Sequence, residues 1–405
     1  MLIRRHGQGS GSEGDLRHWD IFCRVIDNYG DIGVAWRLSR QLAAEHGVAV
    51  RLWVDELESL EAMEPRIDPA APRQSLAGVE VRRDVRDGSG GMAAQPGDVV
   101  IEAFGCEPPK EFIASMAARA GRHAPVWINL EYLSAEEWVG GCHGLPSVEP
   151  QSGLKRHFFF PGFAANTGGL LRERGLLAAR DAFQASTAEQ AALWRRLGVP
   201  AAPAEEWRVS LFCYARAPIE AFLAGLAAHP HPARLIVPHG PAALAAAEWF
   251  GVAAEPGSQA RLGNLALSIV PFMEQAEYDR LLWACDLNFV RGEDSFVRAQ
   301  WAGRPLVWHI YPQAERAQEV KLDSFLWRYC HGLHAPRQDA VARFMQAWNS
   351  GIDGINDFPE RWRLFAANQS ALRLHAEAWA WHLAESPDLA SQLFEFAGKV
   401  ASDLL

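Results

Sequence analysis

The clearest pattern of apolar and polar positions lies between residues 20 and 46. Four apolar residues predict a buried strand: Ile21, Phe22, Val25 and Ile26. Residues 27–33 contain two glycines and predict a tight loop. Residues 34–46 place apolar side chains at helical spacing and predict a helix with one apolar face. This strand, loop and helix begin a doubly wound α/β domain, in which ligands bind at the carboxyl ends of the strands.

The same alternation of strands and helices continues along the chain and predicts mostly parallel sheets covered by helices. Further strands are predicted at 48–54, 79–82, 98–104, 126–132, 155–163, 207–214, 233–238, 265–270, 286–290 and 305–309. A Pro/Ala-rich segment at 198–203 predicts a domain boundary. We therefore predict an α/β protein with two Rossmann-like, doubly wound domains that face a cleft. The predicted divisions are a disordered extension (1–17), two α/β domains (18–200 and 201–360) and helices that pack across both (361–405).

Composition narrows the classes of function. The 405 residues are 49% apolar and include 16 Trp, which is enough for large cores. A net charge of -10 argues against non-specific nucleic-acid binding. The six cysteines form no CxxC pair, so we expect buried thiols in a reducing compartment and no metal site. No apolar run reaches the roughly 18 residues that span a bilayer, so we expect a cytoplasmic protein that binds no membrane.

Two carboxylates, Asp27 and Asp31, lie in the first predicted loop. A phosphate site needs N–H groups and cations, whereas paired acids suit a cation or a proton to be removed. The loop therefore predicts binding of a basic group or general-base chemistry. From these residues alone, capping of the helix or closure of the turn is an equally good interpretation.

The segment that follows the strand 286–290 is the most informative part of the second half. We expect Ser295 to cap a helix at 296–302, whose N-terminus forms an anion site. Backbone amides of Asp294 and Ser295 would hold a diphosphate, Arg291 would add positive charge, and Glu293 would accept hydrogen bonds from sugar hydroxyls. A solvated turn is the alternative interpretation of the two acids.

Aromatic and amide side chains follow two other strands of the second domain. They are predicted to meet at the carboxyl edge of that sheet, where a nucleotide base can lie on apolar surface and bond to an amide. These residues are Phe212, Tyr214, Phe272, Met273 and Gln275. Packing within the core is the alternative interpretation of the three aromatic rings.

Three segments together carry a family resemblance: residues 22–38, 163–171 and 291–301. In this order they resemble the bacterial protein-arginine rhamnosyltransferases that modify translation elongation factor P. The resemblance extends over about residues 19–400. It implies the two-Rossmann (GT-B) architecture, dTDP-β-L-rhamnose as donor, and an arginine in the N-terminal domain of elongation factor P as acceptor. It also implies inversion to an α-linked rhamnosyl-arginine, which activates elongation factor P for ribosomes stalled at polyproline.

The resemblance also implies roles for individual residues. Asp31 matches the general base, Asp27 its essential neighbour, and Glu293 an acid needed for turnover. The dTDP pocket is matched by Phe212, Tyr214, Phe272, Gln275, Asp294 and Ser295. The loop that faces the sugar and the acceptor is matched by Asn28, Tyr29, Gly30 and Gly33. Since no DxD-like metal motif accompanies these residues, we expect a reaction without a metal cofactor.

Two other functions fit the same pattern of elements. A bilobal glycosyltransferase that acts on a glycan or another hydroxyl acceptor would share this fold. An inactive module that binds a sugar nucleotide or a protein is the non-enzymatic alternative. The presence of both Asp31 and Glu293 argues against the inactive module.

Overall fold

The computed structural model describes residues 16–27, 29–84, 94–119, 124–201, 203, 205–312, 317–351 and 357–403. Asn28 and residues 1–15 of the predicted extension lie outside these ranges. Within the described ranges, no helix is both long enough and apolar enough to cross a membrane.

The first half of the described chain builds an eight-stranded sheet. Its strands are β1 (His18–Cys23), β2 (Ala49–Val54), β3 (Arg73–Leu76), β4 (Val79–Arg83), β5 (Val99–Ala103), β6 (Val126–Leu130), β7 (Pro146–Val148) and β8 (Lys155–Phe159). They lie in the order β3-β4-β2-β1-β5-β6-β8-β7. The outermost pairs, β3 with β4 and β7 with β8, are antiparallel, and the other pairs are parallel.

The second half builds a six-stranded sheet from the residues that the structure describes. Its strands are β9 (Trp207–Leu211), β10 (Ala233–Pro238), β11 (Gln259–Leu262), β12 (Leu265–Val270), β13 (Leu287–Arg291) and β14 (Leu306–His309). They lie in the order β11-β12-β10-β9-β13-β14, and only the β11–β12 pair among them is antiparallel. Two parallel-dominated α/β sheets confirm the predicted fold class.

Helices connect and cover the strands. They are α1 (Gly30–His46), α2 (Leu57–Met63), α3 (Lys110–Ala118), α4 (Val139–Cys142), α5 (Leu176–Ala185), α6 (Thr187–Arg196), α7 (Ile219–Ala227), α8 (Pro241–Phe250), α9 (Gln275–Ala284), α10 (Asp294–Ala302), α11 (Ala317–Tyr329), α12 (Ala335–Asn349), α13 (Phe358–Ala366), α14 (Gln369–Ala384) and α15 (Leu389–Asp403).

Each sheet has its own apolar core. Ile32 and Trp36 of α1 pack in the core of the first sheet, together with Leu389 and Leu393 of the last helix, α15. Helices α5, α6 and α13 instead contribute to the core of the second sheet. The last helix therefore packs on the first sheet. The residue bounds of the two domains stay predictions.

The first strand ends earlier than predicted, and the helix after it is longer. Strand β1 ends at Cys23, because the N–H groups of Val25 and Ile26 donate to side chains of Asp55 and Asp31 at 3.0 and 2.9 Å. The predicted strand membership of Val25 and Ile26 is therefore wrong. Helix α1 begins at Gly30, four residues before the predicted start, so the loop is shorter and Asp31 belongs to the first helical turn.

The edge strands β3, β7 and β11 are absent from the prediction. Each has three or four residues, and none of their side chains is fully buried. Such strands carry no run of apolar residues, because one face and one edge are exposed to water. The sequence pattern that reveals buried parallel strands therefore does not reveal these three.

Strand order creates a crevice in each sheet. The chain leaves β1 through α1 for β2 on one side, while β5 pairs with the other side of β1. In the second sheet, β9 likewise lies between β10 and β13. Open α/β sheets bind ligands at such switch points, beyond the carboxyl ends of the strands. Here the two carboxyl ends face each other across the cleft, since Asp27 after β1 contacts Tyr214 after β9.

Candidate active site

Asp31 is held by the loop that precedes it. Its side chain is only 3% exposed, and its Oδ2 accepts hydrogen bonds from the backbone N–H groups of Ile26 and Asp27 at 2.9 and 3.0 Å. Its position in the first turn of α1 favours a negative charge, because the helix dipole is positive at that end. The carboxylate is therefore fixed in one orientation by backbone groups, as a general base requires.

Asp27 connects the two domains directly. Its Oδ2 accepts a hydrogen bond of 2.5 Å from the Tyr214 hydroxyl across the cleft. Burial raises the pKa of Asp27, while the Tyr214 hydrogen bond and the charge of Arg291 act in the opposite direction. Burial, followed by the Asp27 charge, also raises the pKa of Tyr214, so the tyrosine stays protonated as the donor.

Glu293 also reaches across the cleft, from the second domain to the first. It is the N-cap residue of α10, and its Oε2 accepts a hydrogen bond of 2.9 Å from the backbone N–H of Leu133. Burial raises the pKa of Glu293 to about 8, and the nearby Asp31 charge adds to this effect. Burial, followed by the charges of Asp31 and Glu293, raises the pKa of Tyr132 well above its usual range, so this tyrosine stays protonated near the two carboxylates.

Two adjoining cavities lie along the cleft. The larger one has a volume of about 1090 Å³, including its open mouth. Its polar lining residues include Asp27, Asp31, Tyr132, Glu293 and Lys321, and its apolar ones include Leu133, Trp308 and Ile310. The smaller one has a volume of about 550 Å³, including its open mouth, and is lined by Phe212, Phe272, Met273, Tyr278, Arg291 and Ser295 among others. Asp27, Gly30 and Gly292 line both cavities. A ligand with one aromatic end and one polyhydroxylated end suits this pair of spaces.

Arg291 places a positive charge beside the smaller cavity. Its guanidinium carbon lies 4.5 Å from the ring centre of Phe212 and 4.6 Å from that of Tyr214. Its side chain is 8% exposed, and its guanidinium forms no ion pair or hydrogen bond with any residue in the described ranges. The two rings therefore hold a cation whose N–H groups can bind an anion.

Ser295 departs from its predicted role as a helix cap. Helix α10 starts at Asp294, and Glu293 is its N-cap residue. The Ser295 hydroxyl donates to the backbone C=O of Arg291 at 2.5 Å and accepts from the backbone N–H of the same residue at 3.0 Å. The capping prediction is wrong because this side chain turns back and closes its own loop, which leaves the first amides of α10 without a side-chain cap.

Asp294 and Gln275 lie at the predicted pocket, but their side chains bind the first domain. The Asp294 carboxylate accepts hydrogen bonds from Arg37 Nε at 2.8 Å and from Gln275 Nε2 at 3.1 Å. Gln275 Nε2 also donates to the backbone C=O of Gly33 at 2.9 Å. A Cβ on Gly33 would lie 3.0 Å from Asp294 Oδ2, so a glycine allows α1 to approach α10 closely.

The remaining predicted residues frame the smaller cavity. The rings of Tyr29 and Phe272 meet across the cleft with their centres 4.7 Å apart. Met273 is buried beside them, and Gly30 starts α1 by donating its N–H to the backbone C=O of Asp27. All the predicted site residues in the described ranges thus lie along one cleft, and Asn28 lies outside those ranges.

Comparison with known proteins identifies the family. Residues 19–398 match the family model described as "Elongation-Factor P (EF-P) rhamnosyltransferase EarP". The chain belongs to the EarP family. The match covers nearly the whole chain, so both sheets and the cleft between them fall within it.

Individual relatives agree with this membership of the EarP family. The protein-arginine rhamnosyltransferase of Pseudomonas aeruginosa is 48% identical over 382 residues, which cover 94% of this chain and 99% of that protein. The Pseudomonas putida enzyme of the same name is 46% identical over 379 residues, with 93% and 98% covered. These similarities show that the chain is a glycosyltransferase that transfers rhamnose to arginine, and such a transfer needs a nucleotide-sugar donor.

Solved structures agree with the fold. One, described as the structural basis for EarP-mediated arginine glycosylation of translation elongation factor EF-P, has a TM-score of 0.65 and 35% identity, with 94% of this chain and 98% of that chain covered. A glycosyltransferase from Rickettsia africae, with a TM-score of 0.50 and 8% identity, covers 96% of this chain and 98% of its own. The latter likeness concerns the fold alone. Together they confirm the predicted GT-B architecture of this EarP family member.

Sequence reasoning missed several residues that complete the site. Tyr132 and Lys321 line the larger cavity, and Arg37 binds Asp294. Tyr132 follows strand β6, so its place at a strand end was a usable signal. Lys321 and Arg37 lie within helices and reach the site only through the packing of the two domains, for which the sequence carries no local signal.

Gly292 is required where the two cavities meet. Its φ of 58° lies in the left-handed region, and a Cβ there would lie 2.6 Å from Asp27 Oδ2 and 3.1 Å from the Tyr214 hydroxyl. We expect Gly292→Ala to break the Asp27–Tyr214 contact and lower kcat/KM for rhamnosyl transfer by roughly 10–100-fold, because small misplacements of reacting groups are costly. Gly398→Ala is the control, since a Cβ there meets no atom within 4 Å. Equal values of kcat/KM for Gly292→Ala and Gly398→Ala would contradict this prediction.

Glu293 should make the free energy of unfolding depend on pH. Its pKa of about 8 lies above its ordinary value of 4.5, because burial disfavours the charge. Its contribution to stability is therefore fully present below about pH 4.5 and is lost as pH rises through about 8. The free energy of unfolding of Glu293→Gln minus that of the unmodified protein should increase across this window. Urea titrations at several pH values measure this difference in free energy. A difference that stays constant with pH would contradict the raised pKa of Glu293.

Proposed function

We propose that this protein transfers rhamnose from dTDP-β-L-rhamnose to an arginine of translation elongation factor P, with inversion at the sugar carbon. The observation that carries the proposal is the placement of Asp31, Asp27 and Glu293 around one cavity that adjoins the aromatic cavity beside Arg291. The names of the relatives and of the solved EarP structure support the arginine acceptor and elongation factor P.

The smaller cavity is proposed to bind the thymidine diphosphate part of the donor. Phe212, Phe272 and Tyr278 offer apolar surface for the base. Arg291 lies at the edge of this cavity, and the uncapped first amides of α10 lie beside it. Both favour an anion, so they would bind the diphosphate and stabilise the charge that develops as it leaves.

The larger cavity is proposed to bind the sugar and the acceptor arginine. A guanidinium keeps its proton up to a pKa above about 12, so it is a poor nucleophile until a base removes that proton. Asp31 is the proposed base. As a guanidinium nitrogen bonds to the anomeric carbon, the bond from that carbon to the diphosphate oxygen breaks and Asp31 takes the proton. Asp27 would orient the guanidinium, and its hydrogen bond to Tyr214 joins the two domains.

Inversion requires the base and the leaving group on opposite faces of the sugar. Asp31 belongs to the first domain, while Arg291 and α10 belong to the second, and the cleft separates them. Glu293 is proposed to bond to sugar hydroxyls from the second domain. This arrangement supports an α-linked product from a β-linked donor.

The reaction is proposed to proceed without a metal ion. Arg291 and the positive end of α10 supply the charge that a metal would otherwise give to the diphosphate. Transfer rates should therefore be equal in EDTA and in magnesium. A loss of activity in EDTA that magnesium or manganese restores would overturn this part of the proposal.

Arg291→Met should weaken dTDP binding by about tenfold or more, because a hydrogen bond to a charged group contributes about 1.5–3 kcal/mol. Methionine keeps most of the apolar contact with Phe212 and Tyr214, so the loss reports on charge. Isothermal titration calorimetry measures the affinity. Arg343→Met is the control, since Arg343 forms an exposed pair with Asp339 on α12. Unchanged affinity in Arg291→Met would remove Arg291 from the donor site.

The acceptor is proposed to be recognised as a folded surface, in the cytoplasm, where modification prepares elongation factor P for ribosomes stalled at polyproline. Two carboxylates alone cannot select one arginine among many, so contacts around the cleft must add specificity. A folded acceptor also avoids an ordering cost of about 1–2 kcal/mol per backbone residue. We expect efficient transfer to the isolated N-terminal domain and little to a linear peptide around the same arginine. Comparable kcat/KM on both would overturn folded-surface recognition.

A further inference from the structure

Arg37 lies where the first domain meets the nucleotide cavity. It belongs to α1, is 2% exposed and lines the smaller cavity. Its Nε donates to Asp294 Oδ1 at 2.8 Å, and Nη1 and Nη2 donate to the two Asp279 oxygens at 3.0 Å each. Nη2 also contacts the backbone C=O of Gln275 at 3.4 Å. The guanidinium is thus committed to protein acceptors and is not a free cation for the diphosphate.

Asp294 brings a negative charge to the edge of the same cavity. It lies in the first turn of α10 and lines the cavity together with Arg291 and Ser295. Its second oxygen accepts a hydrogen bond from Gln275 Nε2 at 3.1 Å. Burial raises the pKa of Asp294, and the charge of Arg37 is the largest opposing influence. A carboxylate without this cation would repel a diphosphate bound at the α10 N-terminus.

We propose that Arg37 is a positioning residue for donor binding. From α1 it binds the Asp294 carboxylate of α10 and offsets the negative charge of that carboxylate at the diphosphate site. This inference rests on the proposed thymidine diphosphate donor. The same contact fixes α10 against the helix that carries Asp31, so donor binding and placement of the base depend on one side chain.

The surrounding charges explain why arginine occupies this position. Asp279 also accepts two hydrogen bonds from Arg298, at 3.0 and 2.7 Å, and Arg298 binds Glu173 at 2.6 Å. Arg37 therefore bridges Asp279 and Asp294 with a fixed, planar set of donors. Lysine offers a single ammonium on a flexible chain and cannot satisfy both carboxylates in this geometry.

Binding of dTDP and of uncharged thymidine separates the proposed role from a purely structural one. We expect Arg37→Met to weaken dTDP binding at least about tenfold while thymidine binding changes less than about twofold, since only the diphosphate senses the exposed charge. The dTDP affinity of Arg37→Lys should lie between that of Arg37→Met and that of the unmodified protein. Arg234→Met is the matched control: it removes another buried arginine from a buried carboxylate, Glu206, but neither residue lines the two cavities, so the ratio of the two affinities should stay unchanged.

The double variant Arg37→Met/Asp294→Asn keeps the test decisive if the single variant does not fold, because it removes the unpaired carboxylate. The double variant should bind dTDP more tightly than Arg37→Met does. If Arg37→Met is unfolded, the dTDP affinity of the double variant should lie within about threefold of that of the unmodified protein. Equal losses for dTDP and thymidine, no loss of dTDP binding, or a double variant that binds dTDP weakly would overturn the inference. An unmodified protein that binds thymidine as tightly as dTDP would instead overturn the proposed donor site.

Discussion

Replacement of Asp31 by asparagine is expected to lower kcat by roughly 10²–10⁴-fold, the range that a general base contributes. Asparagine has nearly the same shape, and its carbonyl oxygen can still accept the N–H groups of Ile26 and Asp27. The loop should therefore keep its conformation while the site loses its proton acceptor. Affinity for dTDP should change little, since Asp31 lines the larger cavity and not the smaller one.

Asp55 provides a matched control for this substitution. Its Oδ1 also accepts a backbone hydrogen bond from the same loop, at Val25 N, but it lines neither cavity. Asp55→Asn tests the effect of exchanging a loop-binding carboxylate for an amide, and its kcat should remain close to that of the unmodified protein. An Asp31→Asn variant with more than about a tenth of the original kcat would show that the proton goes elsewhere.

Glu293→Gln is expected to lower kcat by roughly 100-fold, with a smaller effect on dTDP affinity. Glutamine can still accept the hydrogen bond from Leu133 N–H, so the connection between the domains should persist. Glutamine cannot, however, carry a negative charge beside the sugar and the arriving guanidinium. Since burial raises the pKa of Glu293 to about 8, arrival of the cationic acceptor should favour the ionised form.

The control for Glu293 is another acid at a helix N-terminus. Glu274 is the N-cap residue of α9, is exposed and lines neither cavity. Glu274→Gln should leave kcat nearly unchanged, as measured by steady-state transfer assays. Equal rates for Glu293→Gln and the unmodified protein would remove Glu293 from the reaction and leave it a purely structural role at the domain interface.

The sequence predicts the elements that are buried and regular. Strands β10 and β12 match the predicted ranges 233–238 and 265–270, because each is a mostly apolar run, interrupted only by Arg234 or Ser268, that is fully buried. The start of α1 was misplaced, because its first turn carries glycine and acid where a helix prediction expects apolar residues. There the structure depends on hydrogen bonds from the loop to Asp31, in which a side chain binds backbone N–H groups four and five residues before it, and apolar periodicity does not reveal such bonds.

The site was predictable at the level of positions but not of contacts. Strand ends and family motifs identify Asp27, Asp31 and Arg291 from the sequence. The partners of Asp294 are Arg37, 257 positions away, and Gln275, and no local pattern indicates either bond. Side chains assigned to the nucleotide are therefore also parts of the domain interface, a double role that only the packing of α1 against α9 and α10 reveals.

The most direct test of the account is transfer by the purified protein from dTDP-β-L-rhamnose to elongation factor P, followed by intact-mass measurement and peptide mapping. The account predicts one deoxyhexose on one arginine side chain of the N-terminal domain, and none when Asp31→Asn replaces the unmodified protein. An unchanged acceptor mass, a sugar on a hydroxyl side chain, or equal modification by the Asp31→Asn variant would contradict it.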